Sequence, residues 1–293
     1  MTDVHCVFRI NAAIGEGPVW CPRERVLYWV NIPAGAIHRF DPQSGTDAVF
    51  CVGRRLGSFA LRESGAMVVA VDDGFAFFEP RTGAFEELDQ VEAHLPQNRF
   101  NDGKCDSRGR FWAGSMVGDY RNAPAPSGSL YRLDPDLTVT RVETGVTISN
   151  GLGWSPDDAT MYYADTGTGI IYAYDFDAAA GRIENRRAFV TVPPEDGEPD
   201  GIAVDAEGFV WCVLSGGGRI ARYDPDGRTE RWVALPVPLP TSCAFGGDDL
   251  GVLYVTSMSY ELSATAFAAA PLSGSLFAME APAPGLAVPR FAG

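Results

Sequence analysis

Short apolar runs broken by polar, glycine-bearing turns set the rhythm of the chain. In Asn150-Gly-Leu-Gly-Trp-Ser-Pro-Asp-Asp-Ala-Thr-Met-Tyr-Tyr163 a polar residue and a glycine open an apolar run, a polar turn follows, and a strand closes the phrase. The phrase recurs. Glu16-Gly-Pro-Val-Trp-Cys-Pro22 leads to Leu27-Tyr-Trp29, Asn101-Asp-Gly-Lys-Cys-Asp-Ser-Arg-Gly-Arg110 to Phe111-Trp112, and Asp200-Gly-Ile-Ala-Val-Asp-Ala-Glu-Gly208 to Phe209-Val-Trp211. Weaker copies start at Gly57, before Met67-Val-Val69, and at Thr241, before Leu253-Tyr-Val255. Six copies at spacings of roughly 40 to 50 residues fall in the range that implies propellers or arrays.

Each repeat carries a second landmark, an alternating strand that ends in Asp or Glu before a turn. The copies are Ile37-His-Arg-Phe-Asp-Pro42, Phe75-Ala-Phe-Phe-Glu-Pro80, Leu130-Tyr-Arg-Leu-Asp-Pro135, Ile171-Tyr-Ala-Tyr-Asp-Phe176, Ile220-Ala-Arg-Tyr-Asp-Pro225 and Leu276-Phe-Ala-Met-Glu280. Alternation with Asp-Pro turns reads as half-buried strands. Three to four strands per repeat and no long amphipathic helix predict an all-β chain: a six-bladed β-propeller, residues 1–293 as a single domain. Residues 5–12 form a candidate strand ahead of the first repeat, placed to close the ring against the last blade. Two segments exceed the repeat, Met116–Ser127 and Ser257–Ser273, the second with room for a helical turn. Such long loops are either functional or surface decoration.

Composition narrows the partners. Within 293 residues, 46% hydrophobic and 21% charged describe an ordinary globular chain. No apolar run approaches the roughly 18 residues of a membrane helix, and Met-Thr-Asp-Val-His-Cys lacks the basic-then-apolar start of a secretory signal. A net charge of −15 argues against nucleic acid, whose binding depends on Lys and Arg. The six scattered cysteines read as buried thiols rather than a disulfide framework. Three histidines, His5, His38 and His94, leave little room for a three-His metal site or a triad. There is no Gly-x-Ser-x-Gly elbow, phosphate loop or EF-hand.

In a propeller, equivalent positions of successive blades ring the axis. The slot of Asn150 is held by Glu16, Gly57, Asn101, Asp200 and Thr241 in the other repeats. Carboxylates of Glu16 and Asp200, the Asn150 amide and Asn101 are therefore expected to converge at one mouth of the channel. Neighbouring carboxylates repel unless protonated or paired. No Lys or Arg holds the slot, so a divalent cation is the simplest remedy. Two carboxylates and one or two amides suit Ca²⁺, Mg²⁺ or Mn²⁺. The competing reading is that Asn150-Gly151 and Asp200-Gly201 are turn dipeptides only; Glu16-Gly17, not a favoured turn pair, speaks against it.

The chain resembles the gluconolactonase, senescence marker protein (regucalcin) and luciferin-regenerating enzyme family. The resemblance rests on Gly15-Glu-Gly-Pro-Val-Trp20, Asn98-Arg-Phe-Asn-Asp-Gly103, Gly114-Ser-Met116, Ser149-Asn-Gly-Leu-Gly-Trp-Ser-Pro-Asp157, Pro199-Asp-Gly201 and Thr241-Ser-Cys-Ala-Phe-Gly-Gly247, and covers nearly the whole chain. It implies a six-bladed propeller with one divalent metal held by Glu16, Asn150 and Asp200. Ca²⁺ is the foremost ion, with Zn²⁺, Mg²⁺, Mn²⁺ or Fe²⁺ as alternatives. By the same resemblance Arg99 and Asn101 bind substrate, and Asp119, in a loop that departs from the family in length, is the nearest counterpart of an acidic substrate contact.

The implied reaction is hydrolysis of a sugar lactone to its aldonic acid, the metal acting as Lewis acid and Asp200, or a water at the metal, as base. The alternatives are a metal-dependent esterase or phosphotriesterase on the same site and a calcium-binding regulatory protein without turnover. Arg99 beside the ligands favours an enzyme, against the plainer reading that it braces a loop. Expected surroundings are a cytoplasmic monomer or small homo-oligomer, acting in carbohydrate metabolism on a small-molecule lactone, with no nucleic acid and no membrane.

Overall fold

The turns of the recurring phrase explain why its residues repeat. Asp106 Oδ1 accepts the backbone N–H groups of Arg108 and Arg110, and its Oδ2 accepts the Trp112 indole N–H at 3.0 Å. Asp205 does the same for Glu207, Phe209 and Trp211, the indole bond being 2.9 Å. One carboxylate thus closes the hairpin and satisfies the indole of the next strand. The glycines between, Gly109 (φ 71°) and Gly208 (φ 85°), take the left-handed conformation the turn needs.

These hairpins build six four-stranded antiparallel sheets in the computed structural model, which describes residues 4–122, 125–260 and 262–293. Ala123 and Pro124 of the first expected insertion and Glu261 of the second lie outside the described residues. The innermost strands are Gly15–Cys21, Leu56–Leu61, Asn98–Cys105, Ser149–Trp154, Glu198–Val204 and Pro240–Gly246. Each packs on the innermost strand of its neighbours, closing a ring: a six-bladed β-propeller. The strand His5–Phe8 pairs antiparallel with Leu276–Glu280 and completes the last blade, as the residue 5–12 segment led us to expect. The second insertion carries one short helix, Ala264–Ala269, capped by Ser263, whose Oγ accepts the Ala266 N–H at 3.2 Å. Among the described residues no helix is long and apolar enough to cross a membrane.

The core lies between blades. Side chains of adjacent sheets interlock there, with Trp29, Trp112, Trp211, Phe40, Phe100 and Phe277 fully buried. All six cysteines are unpaired; Cys21, Cys105, Cys212 and Cys243 are buried as expected, whereas Cys6 is half-buried and Cys51 is exposed.

Asn150-Gly151 and Asp200-Gly201 are not turns: they lie inside innermost strands. Their glycines are required by close approach. A Cβ on Gly151 would stand 2.5 Å from the Asp200 carbonyl oxygen and 2.5 Å from the Ile202 nitrogen, and one on Gly201 would stand 2.0 Å from Ser242 Oγ. The ring closes because these positions have no side chain. Gly151→Ala is accordingly expected to destabilise the protein by about 1–3 kcal/mol, as overpacking does. A urea melt measures it; an unchanged midpoint would show that the ring has slack.

Candidate metal centre and active site

Every innermost strand is irregular where the ring narrows. Register shifts fall between Glu16 and Val19, Leu56 and Ser58, Phe100 and Gly103, Ser149 and Leu152, Pro199 and Ile202, and Pro240 and Cys243. A bulge re-aims the side chains beside it. Here the bulges bring Glu16, Asn101, Asn150 and Asp200 to one cavity of about 60 Å³ that Arg99 also lines. These five residues are 5–8% exposed.

Hydrogen bonds fix which end of each amide faces inward. The Thr166 hydroxyl donates to the Pro199 carbonyl at 2.6 Å, so its oxygen accepts the Asn150 Nδ2 at 2.9 Å. Asn150 Oδ1 is thereby turned the other way, where Asn101 Nδ2 approaches at 3.3 Å. Asn101 donates mainly to the Ser149 carbonyl at 2.8 Å, and its Oδ1 accepts Arg99 Nη1 at 2.6 Å. Thr241, in the same slot of the last blade, turns aside and donates to the Gly15 carbonyl at 2.5 Å, bracing the residue before Glu16.

The carboxylates are poorly compensated. Glu16 Oε2 accepts the Gly17 N–H at 2.7 Å, but Asp200 Oδ1 is buried without a hydrogen-bond partner among the described residues. Burial, then the charge of Asp102, pushes the Glu16 carboxyl up to about 8. Burial, then Glu16 and Asp102, raises Asp200 well above the carboxylate range. Among the described residues neither forms an ion pair with Lys or Arg. Arg99 itself is depressed to about 10 by burial and by the nearby Arg55. An all-oxygen cluster with surplus negative charge and an orphaned carboxylate oxygen fits a hard dication. Among the described residues no group of three His, Cys, Asp or Glu gathers to hold a metal; the candidate set is two carboxylates and an amide.

The sequence reading missed several neighbours. Asp102 is buried below Asn101 and its carboxyl is raised by burial, an effect that the charge of Lys104 opposes. Tyr120, Arg121 and Glu198 line the mouth. Arg121 Nη1 lies 3.4 Å from Glu198 Oε1, at the start of the strand Glu198–Val204. Asp119 does not join them: it is exposed and accepts a bond from Asn122 Nδ2 at 2.8 Å. The nearest acid by sequence is therefore replaced in the lining by its two successors. The base of that loop is held by buried Glu92, which accepts Ser115 Oγ at 2.6 Å, Tyr131 Oη at 3.0 Å and Asn98 Nδ2 at 2.9 Å.

Comparison with known proteins agrees with this architecture. The profile of the SMP-30/Gluconolactonase/LRE-like region matches residues 14–259. The chain is 39% identical to the 6-deoxy-6-sulfogluconolactonase of Pseudomonas putida over 98% of each chain. It is 40% identical to regucalcin of Xenopus laevis, over 87% of this chain and 86% of that one. A crystal structure of a calcium-binding protein, regucalcin, from Agrobacterium tumefaciens superposes with a TM-score of 0.93 at 28% identity, covering 99% of this chain and 97% of the other. With a propeller of that kind, and with the matched region spanning every residue of the candidate site, the chain belongs to the SMP-30/gluconolactonase/LRE-like family.

Proposed function

We propose that the chain is a metal-dependent sugar lactonase, hydrolysing the ester of an aldonolactone to the aldonic acid. The observation that carries the reading is the orphaned Asp200 Oδ1, buried beside Glu16, in a cavity that also holds Arg99 and Asn101. Glu16, Asn150 and Asp200 would hold the dication. When bound, such an ion polarises the lactone carbonyl and supports the charge that grows on its oxygen.

The chain's own residues do the rest. Arg99 spends Nη1 on Phe100 and Asn101; its remaining N–H donors and the mouth residues hold the ring hydroxyls. Fixing the ester near the reacting groups is worth up to roughly 7–11 kcal/mol in favourable cases. The Asp200 carboxylate takes a proton from the attacking water as the water oxygen bonds to the carbonyl carbon. It returns that proton to the ring oxygen as the carbon–oxygen bond breaks, leaving the free acid and alcohol. The names of similar proteins, a sulfogluconolactonase among them, support this reaction class.

Thr166 orients the Asn150 amide by accepting its Nδ2. Thr166→Val keeps the shape but frees Nδ2, and is expected to weaken metal affinity by roughly 10-fold or more, as loss of an outer partner does. A metal titration of the chelated protein checks it. An affinity within twofold of the parent would remove Thr166 from the scheme.

The test of the function is to strip metal with chelator, add back Ca²⁺, Mg²⁺, Mn²⁺, Zn²⁺ or Fe²⁺ singly, and follow acid release. The panel is D-glucono-, D-xylono-, L-arabino- and D-galactono-lactone beside a paraoxon-type ester. Restored hydrolysis of a lactone supports the proposal; ion binding without turnover of any lactone overturns it.

A further inference from the structure

The innermost strands run from the candidate site to the opposite mouth of the ring, and a second cavity lies there. It measures about 270 Å³, against about 60 Å³ at the candidate site. Its walls are Trp154, Val204 and Phe245 from three blades and Leu286 and Val288 from the C-terminal segment. The cavity is held open rather than collapsed. The C-terminal segment is pinned at one end by Ala206 N–H to the Pro284 carbonyl (2.9 Å) and Gly285 N–H to the Leu250 carbonyl (2.9 Å). At the other end Phe291 N–H bonds the Leu61 carbonyl (2.8 Å) and Ala292 N–H the Gly109 carbonyl (3.0 Å). Gly285 lies flat on Phe245, where a Cβ would come within 2.0 Å of the ring.

Two charged side chains line this cavity, Lys104 and Asp158, and the first is singular. Of the 23 basic residues in the chain, Lys104 is the only lysine. Its Nζ donates to the Ile202 carbonyl at 2.5 Å, the single hydrogen bond it makes among the described residues, although an ammonium carries three donors. An ammonium is a compact point charge whose spare donors can rotate to meet a ligand. Apolar walls with one convergent polar group are the usual make-up of a small-ligand site. Ser107, Ser155 and the Asp158 carboxylate also line it.

We propose that this cavity is a second ligand site, separate from the lactone site, for a small organic monocarboxylate with an aromatic or branched apolar body. The carboxylate accepts from the Lys104 ammonium; the body lies between Trp154, Phe245 and the C-terminal segment. The proposal is independent of the lactonase reading, because it uses none of the residues assigned to that reaction.

The test is calorimetric titration of the full chain with 4-bromobenzoate and with 4-bromobenzyl alcohol, which has the same body and no charge. The benzoate is expected to bind at one site, at least about tenfold tighter than the alcohol, since a charge-assisted hydrogen bond separates them. Saturating lactone product should not displace it. Leu286→Trp, which fills the cavity, should remove binding while leaving lactone hydrolysis within twofold, and Lys104→Met should bring the benzoate down to the alcohol. Bromine anomalous density in a soaked crystal of the parent should fall beside Leu286 and Val288, with the carboxylate on Lys104 Nζ. Equal affinity of the two probes, bromine at the Glu16 site, or no saturable binding up to about 10 mM would overturn the proposal. If Leu286→Trp fails to melt cooperatively, the parent's anomalous map decides.

Discussion

With Asp200 replaced by Ala, lactone hydrolysis is expected to fall by at least about 10³-fold, combining the loss of a general base with that of a metal ligand. The fold should survive, because Asp200 Oδ1 makes no hydrogen bond that holds the ring together. Its removal also takes away a buried carboxyl that burial and the charge of Glu16 disfavour in ionised form. In chelator the variant should therefore melt no lower than the parent. Asp200→Asn separates the two roles. It keeps a carbonyl oxygen for the ion and loses the proton acceptor, so ion binding should persist, weakened, while turnover is lost. Steady-state kinetics and a metal titration on both variants provide the measurement. Turnover within a few-fold of the parent in either would remove Asp200 as the base. Asp119→Ala, exposed and turned toward Asn122, should stay within about twofold, as surface changes away from the chemistry do.

The ring of donors was legible in the sequence because a propeller converts repeat alignment into spatial convergence. Glu16, Asn101, Asn150 and Asp200 share one slot of the phrase, and the structure brings those four to one cavity. The closing strand was legible from alternation alone. Two things were not. The glycines after Asn150 and Asp200 left a turn reading open, because close backbone approach between neighbouring strands leaves no local mark; Gly151 serves the Asp200 strand, 49 residues on. The mouth residues were the second. A strand's two-residue period says which way a side chain points, but a loop has no such period. Asp119 was chosen by chemistry and proximity, and the loop instead directs Tyr120 and Arg121 to the cavity. Asp102 was visible as part of the Asn-Asp-Gly phrase, yet its place, buried where its charge acts on Glu16 and Asp200, goes with the bulge between Phe100 and Gly103.

Metal removal should make the protein's stability depend on pH with a definite sign. Glu16 has an ordinary value of 4.5 and is raised to about 8 in the fold, chiefly by burial and then by Asp102. Asp200 is raised from 3.8 in the same direction. Below about 4.5 folded and unfolded chains both carry the Glu16 proton, and the fold pays nothing for it. Between about 4.5 and 8 the unfolded chain releases that proton while the folded chain retains it, so stability is lost as pH rises, until it levels above 8. A bound dication reverses the preference by stabilising the ionised pair, and its uptake below pH 8 must release the Glu16 proton. Apparent affinity should therefore climb with pH and level near 8. The gap in Tm between metal-loaded and chelated protein should widen from pH 5.5 to 8, on the order of 5 °C or more for a chain of this size. Taking the gap cancels the surface carboxylates, which titrate alike in both forms. Thermal melts at matched ionic strength, with and without chelator, measure it. A gap that is constant or narrows over that range would mean that Glu16 and Asp200 do not share an ion, and the metal would have to be sought elsewhere in the ring.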